Sequence, residues 1–377
     1  MPEVILLSHG FQPEYEAGYA NGVTRNGVAV TLVGSDTSLL NRLEPSIRFF
    51  NLRGSQRPDR TTMEKLINLV RYFAGYALLL YRNRGSPVHV IGQFSTGNLW
   101  VSLFESWMTR LLSGGYILTV HNLLPHDRHS STTARLSYLI YHSAKYLVVH
   151  TPRMREELCT KFGIKTEVTI VVEHGIDRLL PDSGGMRVNM RAKLGVQPAE
   201  RVLLFFGNIA YYKGLDVLLR AFASLSRDTV DRLIIAGRCR DRMLRQQLMR
   251  IVATHPRRND ILWREGYVDE EDVAPTFHAA DVLVMPYRHI DQSGVIFMAL
   301  ATGLRVVATD VGSLADYVPD GPKAIARPDD PEALASCIKN VIDRPSMNIH
   351  NHNNGAAKYL WQRTVLPILP FYNEKSR

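Results

Sequence analysis

One rhythm constrains this chain more than anything else: short, unbroken apolar runs separated by stretches of helix length. Runs at residues 4–8, 29–33, 88–91, 117–120 and 146–149 read as strands, with helical patterns near 15–26, 62–82, 96–113, 131–142 and 152–161 between them. A strand that is apolar at every position is covered on both faces, as in a parallel sheet sandwiched between helices. The rhythm then restarts. Strands are expected at 202–206, 233–236, 261–264, 282–285 and 306–308, and helices at about 214–226, 240–254, 270–279, 293–302 and 331–343. Two such sets in tandem predict an α/β chain of two doubly wound, Rossmann-like domains. With 377 residues, 45% of them hydrophobic, the chain can build two cores. We place the N-terminal domain at 1–176, a linker at the polar stretch 177–195 and the C-terminal domain at 196–345; a last helix lies within 346–377.

Three scattered cysteines, Cys159, Cys239 and Cys337, argue against a disulfide framework or a zinc site and for a reducing compartment. No apolar run reaches the length of a membrane span, and residues 4–7 are too short for a signal segment. The expectation is a cytoplasmic protein. The net charge of +9 is spread over both halves, with 18 basic and 13 acidic residues in positions 1–175. It suits anionic ligands, but there is no basic stripe with interleaved aromatics, so nucleic acid is not expected as a partner.

Ligands of such sheets bind outside the carboxyl ends of the strands, and two facing domains would share that cleft. In the first half, Ser8-His9-Gly10-Phe11 follows the first strand, and Gly10 either lets backbone approach a ligand or forms a plain turn. The stretch lacks a dinucleotide fingerprint. His121 ends the strand at 117–120, where it either faces the cleft or bonds backbone. With His126, Asp127 and His129 it invites a metal reading, but the spacing is loop-like and no cysteine joins it, so no metal is expected. Trp100, Phe104 and Trp107 recur at helical spacing, and the nearly apolar run 73–81 is followed by Arg82 and Arg84. Two buried helices would account for this; the sharper alternative is a surface that dips into a membrane with arginines at the headgroups.

The second half offers four strand-end loops. Gly207-Asn208 leads through Lys213-Gly214 into a helix whose Leu215, Leu218, Leu219 and Phe222 share one face. Ala236-Gly237-Arg238, Gly266-Tyr267-Val268 and the run from Met285 through Asp291-Gln292-Ser293-Gly294 follow the next strands. Lysine and arginine beside helix N-termini make a site for a phosphate-bearing ligand, a diphosphate above all.

These loops, together with residues 279–287, the run 299–313 and His174-Gly175-Ile176-Asp177, resemble the family 4 retaining glycosyltransferases of the GT-B fold. The resemblance covers about 165–345; the first half agrees in layout only. It implies a nucleotide-sugar donor, with Lys213 on the diphosphate, the backbone of residues 266–268 by the base, the loop before Gly294 at the sugar hydroxyls and His121 beside the transferred sugar. It also implies that the last helix crosses back to the first domain. Asn208 stands where the family has an arginine, and Met298 where it has the second of two glutamates.

The resulting expectation is hexosyl transfer with retention, the departing diphosphate being neutralised by Lys213, Arg238 and helix dipoles without a metal. The acceptor is a glycan or a polyprenyl-linked saccharide in surface-polysaccharide assembly, with peripheral contact to an anionic membrane at the inner face of the cell membrane. A sugar-nucleotide epimerase of the same fold, and a binding subunit without turnover, are the rival readings.

Overall fold

The computed structural model describes residues 3–10, 12–57, 59–92, 98–123, 131–290, 293–343 and 356–373. The chain divides into two compact units, Met1–Asp177 with Lys358–Arg377, and Arg178–Ala357.

The first unit runs β1 (Glu3–Leu7), α1 (Pro13–Arg25), β2 (Ala29–Gly34), β3 (Arg48–Asn51), α2 (Thr62–Arg82), β4 (Val88–Val90), α3 (Leu99–Leu112), β5 (Tyr116–Thr119), α4 (Ser131–Ser143), β6 (Tyr146–Val149), α5 (Pro152–Phe162) and β7 (Thr169–Val171). Its sheet is parallel, in the order β3-β2-β1-β4-β5-β6-β7. Alternate residues of β1 enter different cores: Ile5 and Leu7 pack with Tyr72 and Tyr76, whereas Val4 and Leu6 pack with Tyr19 and Trp361. Burial on both faces is why positions 4–7 of the strand are all apolar.

The second unit runs α6 (Met186–Leu194), β8 (Val202–Phe206), α7 (Leu215–Ser224), β9 (Arg232–Gly237), α8 (Arg242–Ala253), β10 (Ile261–Glu265), α9 (Glu270–Ala279), β11 (Val282–Met285), α10 (Gly294–Thr302), β12 (Arg305–Thr309), α11 (Leu314–Tyr317), β13 (Ile325–Ala326) and α12 (Pro331–Ile342). Its parallel sheet has the order β10-β9-β8-β11-β12-β13. Strand order reverses between β8 and β11, the switch point at which open α/β sheets form their binding crevice. The apolar face expected on α7 is there: Leu215, Leu218, Leu219 and Phe222 are buried.

Three expectations need correction. The stretch 177–195 is no bare linker, because α6 lies inside it and is part of the second unit. Arg191 on α6 donates to the Ala279 carbonyl (3.0 Å) and to Asp281 (2.9 Å). The terminal segment is not one helix: Pro367 and Pro370 lack the N–H a helix interior needs, and the chain forms only short turns such as Trp361–Thr364 and Leu369–Tyr372. It groups with the first unit, where Trp361 lies so close to α1 that a Cβ on Gly18 would stand 2.2 Å from its Nε1. Nor are α2 and α3 two buried helices, since Trp100 and Trp107 are 65% and 61% exposed. Strands β3, β7 and β13 escaped the sequence reading because they are two to four residues long, and β3 and β7 also carry polar positions.

Candidate functional site

The loop after β8 is built by its neighbours. Gly207 N–H donates to the Ala236 carbonyl and Ile209 N–H to the Arg238 carbonyl, both at 2.9 Å, so the chain leaving β8 stays zipped to the end of β9. Gly266 N–H reaches the Gly237 carbonyl at 3.3 Å, which joins the end of β10 to the same row. The backbones approach so closely that a Cβ on Gly237 would lie 1.9 Å from the Gly207 carbonyl oxygen. The φ of Gly237 is +153°, a value side-chain-bearing residues avoid.

Lys213 closes a short turn, Tyr211–Lys213, and Gly214 then starts α7 in the left-handed region. A Cβ on Gly214 would meet the Pro286 carbonyl oxygen at 2.0 Å. Arg288, beyond β11, locks this turn. Its N–H donates to the Tyr212 carbonyl (2.7 Å), and its guanidinium donates to the Tyr211 carbonyl (2.7 Å), to both Asp216 oxygens (2.9 and 2.8 Å) and to Asp329 (2.7 Å). Partial burial alone would raise the Asp216 carboxyl, but the Arg288 hydrogen bonds and the Arg288 and Arg220 charges outweigh it and hold the carboxyl below its usual range. The same contacts push Arg288 up.

So fixed, Lys213 is only 6% exposed. Its Nζ lies 5.2 Å from the Tyr287 ring centroid. It is also 3.1 Å from where a Cβ on Gly207 would stand, a point that Val295 of α10 approaches to 3.5 Å. Among the described residues it has neither a hydrogen-bond nor an ion-pair partner. Burial pulls its pKa below the usual lysine value, opposed only by Tyr212. A buried, unpartnered ammonium at a topological switch point is costly unless an anion joins it. Ser293 caps α10 without a side-chain cap bond, and α10 begins at Gly294, so the unpaired N–H groups of its first turn lie on the Lys213 side of the sheet.

The structure therefore brings together Gly207, Lys213, Gly237 and the start of α10 with Ser293 and Gly294. Asn208 and Arg238 present exposed side chains beside this group, and Tyr267, 84% exposed, and half-buried Val268 lie at the end of β10. Asp291 and Gln292 lie outside the described residues, as do His126, Asp127 and His129. The α7 N-terminus, expected to serve the anion, already carries the Asp216–Arg288 pair. Arg288, the organiser of the site, escaped sequence reading; its one signal is an arginine three residues past a buried strand.

Two expected residues belong to the first unit. Gly10 is held in a turn, with its carbonyl accepting from Thr37 Oγ1 (2.8 Å), and a Cβ there would lie 2.0 Å from Ser35 Oγ. Its missing side chain thus accommodates its own unit. His121 donates from Nε2 to the Ile91 carbonyl (2.7 Å), and its Nδ1 faces His150 Nε2 at 3.3 Å. Burial lowers its pKa. Among the described residues no group of histidine, cysteine and carboxylate side chains could hold a metal ion.

Residues 200–344 match the family described as glycosyl transferases group 1. An uncharacterized glycosyltransferase of Methanocaldococcus jannaschii is 23% identical over 94% of this chain and 92% of its own length. A D-inositol 3-phosphate glycosyltransferase of Streptomyces bingchenggensis is 27% identical over 62% of this chain, an alignment spanning 54% of that protein. Among solved structures, sucrose-phosphate synthase from Thermosynechococcus elongatus superposes with a TM-score of 0.73 at 19% identity, covering 99% of this chain and 98% of that one. Anabaena HepE in complex with UDP and glucose gives 0.69 at 16% identity, covering 100% and 96%.

Proposed function

Starting from a group 1, family 4-like glycosyltransferase domain at residues 200–344 and the two parallel-sheet domains of the GT-B fold, we propose that this chain transfers a hexosyl unit, with retention, from a nucleotide sugar to a glycan or lipid-linked saccharide acceptor. The observation that carries the reading is Lys213. An ammonium buried at the β8–β11 switch point without a protein counter-charge among the described residues fits a diphosphate in both charge and position. The complex of Anabaena HepE with UDP and glucose supports a uridine diphosphate donor.

The chemistry follows from electrostatics. As the glycosidic bond to the diphosphate breaks, negative charge grows on the leaving oxygen. A cation held rigid by Arg288 and Gly214 needs no reorganisation to meet it, and in a dry site its attraction is weakly screened. The N–H groups of the first turn of α10 add to the same field. This scheme needs no metal. Arg238, Asn208, Tyr267, Val268, Asp291 and Gln292 complete the proposed donor site around phosphate, base and sugar, and surface-polysaccharide assembly at the inner face of the cell membrane is the proposed setting. His121 is proposed to act beside the transferred sugar once its bond to Ile91 opens.

The test is a thermal-shift series with UDP and UDP-glucose, followed by a transfer assay. Stabilisation by UDP, lost in Lys213→Ala while that variant keeps its circular dichroism, is expected. Unaltered UDP stabilisation in Lys213→Ala would remove its role. A large drop in turnover is expected for His121→Ala, and an unchanged rate would make it purely structural. Conversion of the nucleotide sugar to its epimer without acceptor would favour the epimerase.

A further inference from the structure

We infer that the outward face of α2, α3 and α4 docks on the surface of an anionic bilayer. On α2 the exposed positions 63, 67, 70, 74, 78 and 81 follow one helical stripe, and all are apolar: Met63, Ile67, Val70, Ala74, Leu78 and Tyr81. On α3 the stripe 100, 104, 107, 111 is Trp100, Phe104, Trp107 and Leu111, each at least half exposed. A surface helix ordinarily turns its apolar stripe inward; here each helix has a second one facing out. The two helices are neighbours, with Phe73 and Phe104 in edge contact at 4.9 Å. Next to α3, α4 adds exposed Tyr138 and Leu139. An exposed apolar surface of this extent marks an interaction site.

Charge selects the occupant. The exposed charged residues on these three helices are Lys65, Arg71, Arg82, Arg110 and Arg135 against one acid, Glu64, whose carboxylate is held by Thr61 in a capping box. Arg84, just past α2, lies over the Tyr81 ring at 4.0 Å. Tryptophan and tyrosine favour the interfacial layer of a bilayer, and a rim of arginines gains from anionic headgroups. A protein partner would be expected to answer the apolar stripes with a less uniformly basic rim. None of the described helices is long and apolar enough to cross a membrane, so contact is at the surface. This inference extends the lipid-linked acceptor reading and rests on the first unit, whereas the donor site rests on the second.

The test is sedimentation of the full chain with phosphatidylcholine vesicles, with and without phosphatidylglycerol. Co-sedimentation with the anionic vesicles, weakened by salt and accompanied by a blue shift of tryptophan fluorescence, is expected. Trp100→Ser with Trp107→Ser should lower the partition coefficient at least tenfold, and Arg71→Glu with Arg82→Glu should abolish the preference for anionic vesicles. These positions are exposed, so melting temperature should hold in both variants. Wild-type protein that stays in the supernatant overturns the proposal. So does a concentration-dependent dimer that the tryptophan changes dissociate while vesicle binding is unaltered, which would assign the face to a second copy. UDP stabilisation, read without vesicles, separates the two readings: its loss alone overturns the donor proposal and leaves this one standing.

Discussion

The Arg288 guanidinium grips both carboxylate oxygens of Asp216, at 2.9 and 2.8 Å, across 72 residues of sequence. It ties the segment after β11 to the first turn of α7, on either side of the switch point. Arg288 is nearly buried and Asp216 mostly so, and without Arg288 the Asp216 carboxylate keeps only the more exposed Arg220 as a side-chain partner. Arg288→Ala should destabilise the second unit by about 3 kcal/mol in denaturant unfolding. In a double-mutant cycle with Asp216→Ala, the double variant should lose much less than the sum. Additive losses would mean that the pair is not coupled.

Lys213 gives a pH signature of its own. Its folded pKa lies below the unfolded value because burial disfavours the ammonium. The unfolded state therefore binds more protons between the two values, and stability rises with pH through that window. Lys213→Met should accordingly raise the melting temperature of unliganded protein at pH 7. That gain should shrink as the pH climbs toward the ordinary lysine value of about 10.5. With donor and acceptor, the same variant should lose at least about 100-fold in turnover. A lower melting temperature at pH 7 would contradict the buried, unpartnered ammonium.

Much of this was legible beforehand. Leu203, Leu204 and Phe205 are apolar at consecutive positions because both faces of β8 are covered, and that pattern needs no tertiary information to be read. Lys213 was legible for the same reason: a lysine at a strand-to-helix junction has few local uses. Arg288 was not, because its role depends on Tyr211, Asp216 and Asp329, which only the fold brings to it. Helix α6 was missed because Arg187 and Arg191 make its stretch look like solvated linker, whereas both reach Asp281. The α3 stripe was visible as apolar spacing and part of α2 as an apolar run, but neither pattern can tell an inward face from an outward one.

At Gly237 the geometry forbids any side chain. The residue combines a φ of +153° with a Cβ position 1.9 Å from the Gly207 carbonyl oxygen. The backbone must shift, because neither atom belongs to a flexible side chain. Gly237→Ala should cost about 3 kcal/mol in stability from strain and displacement combined. It should also weaken UDP binding, since the loop that ends at Lys213 hangs on the same row of bonds. Stability within about 0.5 kcal/mol of the parent would show that β8 and β9 separate easily at this end.

The first unit should be acid-sensitive for a reason that lies in four histidines on or just past its strands. His89, on β4, is fully buried between Tyr372 and Thr119, with hydrogen bonds of 2.6 and 2.8 Å, and burial pushes it down to about 3. His174 is pushed down to about 3 as well, and burial also lowers His121 and His150. The Ile91 and Val172 carbonyls can only accept, so His121 Nε2 and His150 Nδ1 carry the hydrogens. The facing nitrogens, 3.3 Å apart, are then both bare in the neutral state. Tyr15 packs against His121, His150 and His174; no carboxylate appears among the influences on any of the four, and the carbonyls of Ile91, Val172 and Gly175, which favour the charged forms of His121, His150 and His174, are outweighed by burial. With folded values below the unfolded value of about 6.5, the unfolded chain takes up protons first as the pH falls. Stability is full above that value and declines below it, at up to about 1.4 kcal/mol per pH unit for each histidine. His89→Gln, which keeps hydrogen-bonding groups at the position, should make the fall between about pH 6 and 4 shallower by nearly that amount. The measurement is urea unfolding across that range, and parallel curves for variant and parent would show that His89 is not held neutral by its burial.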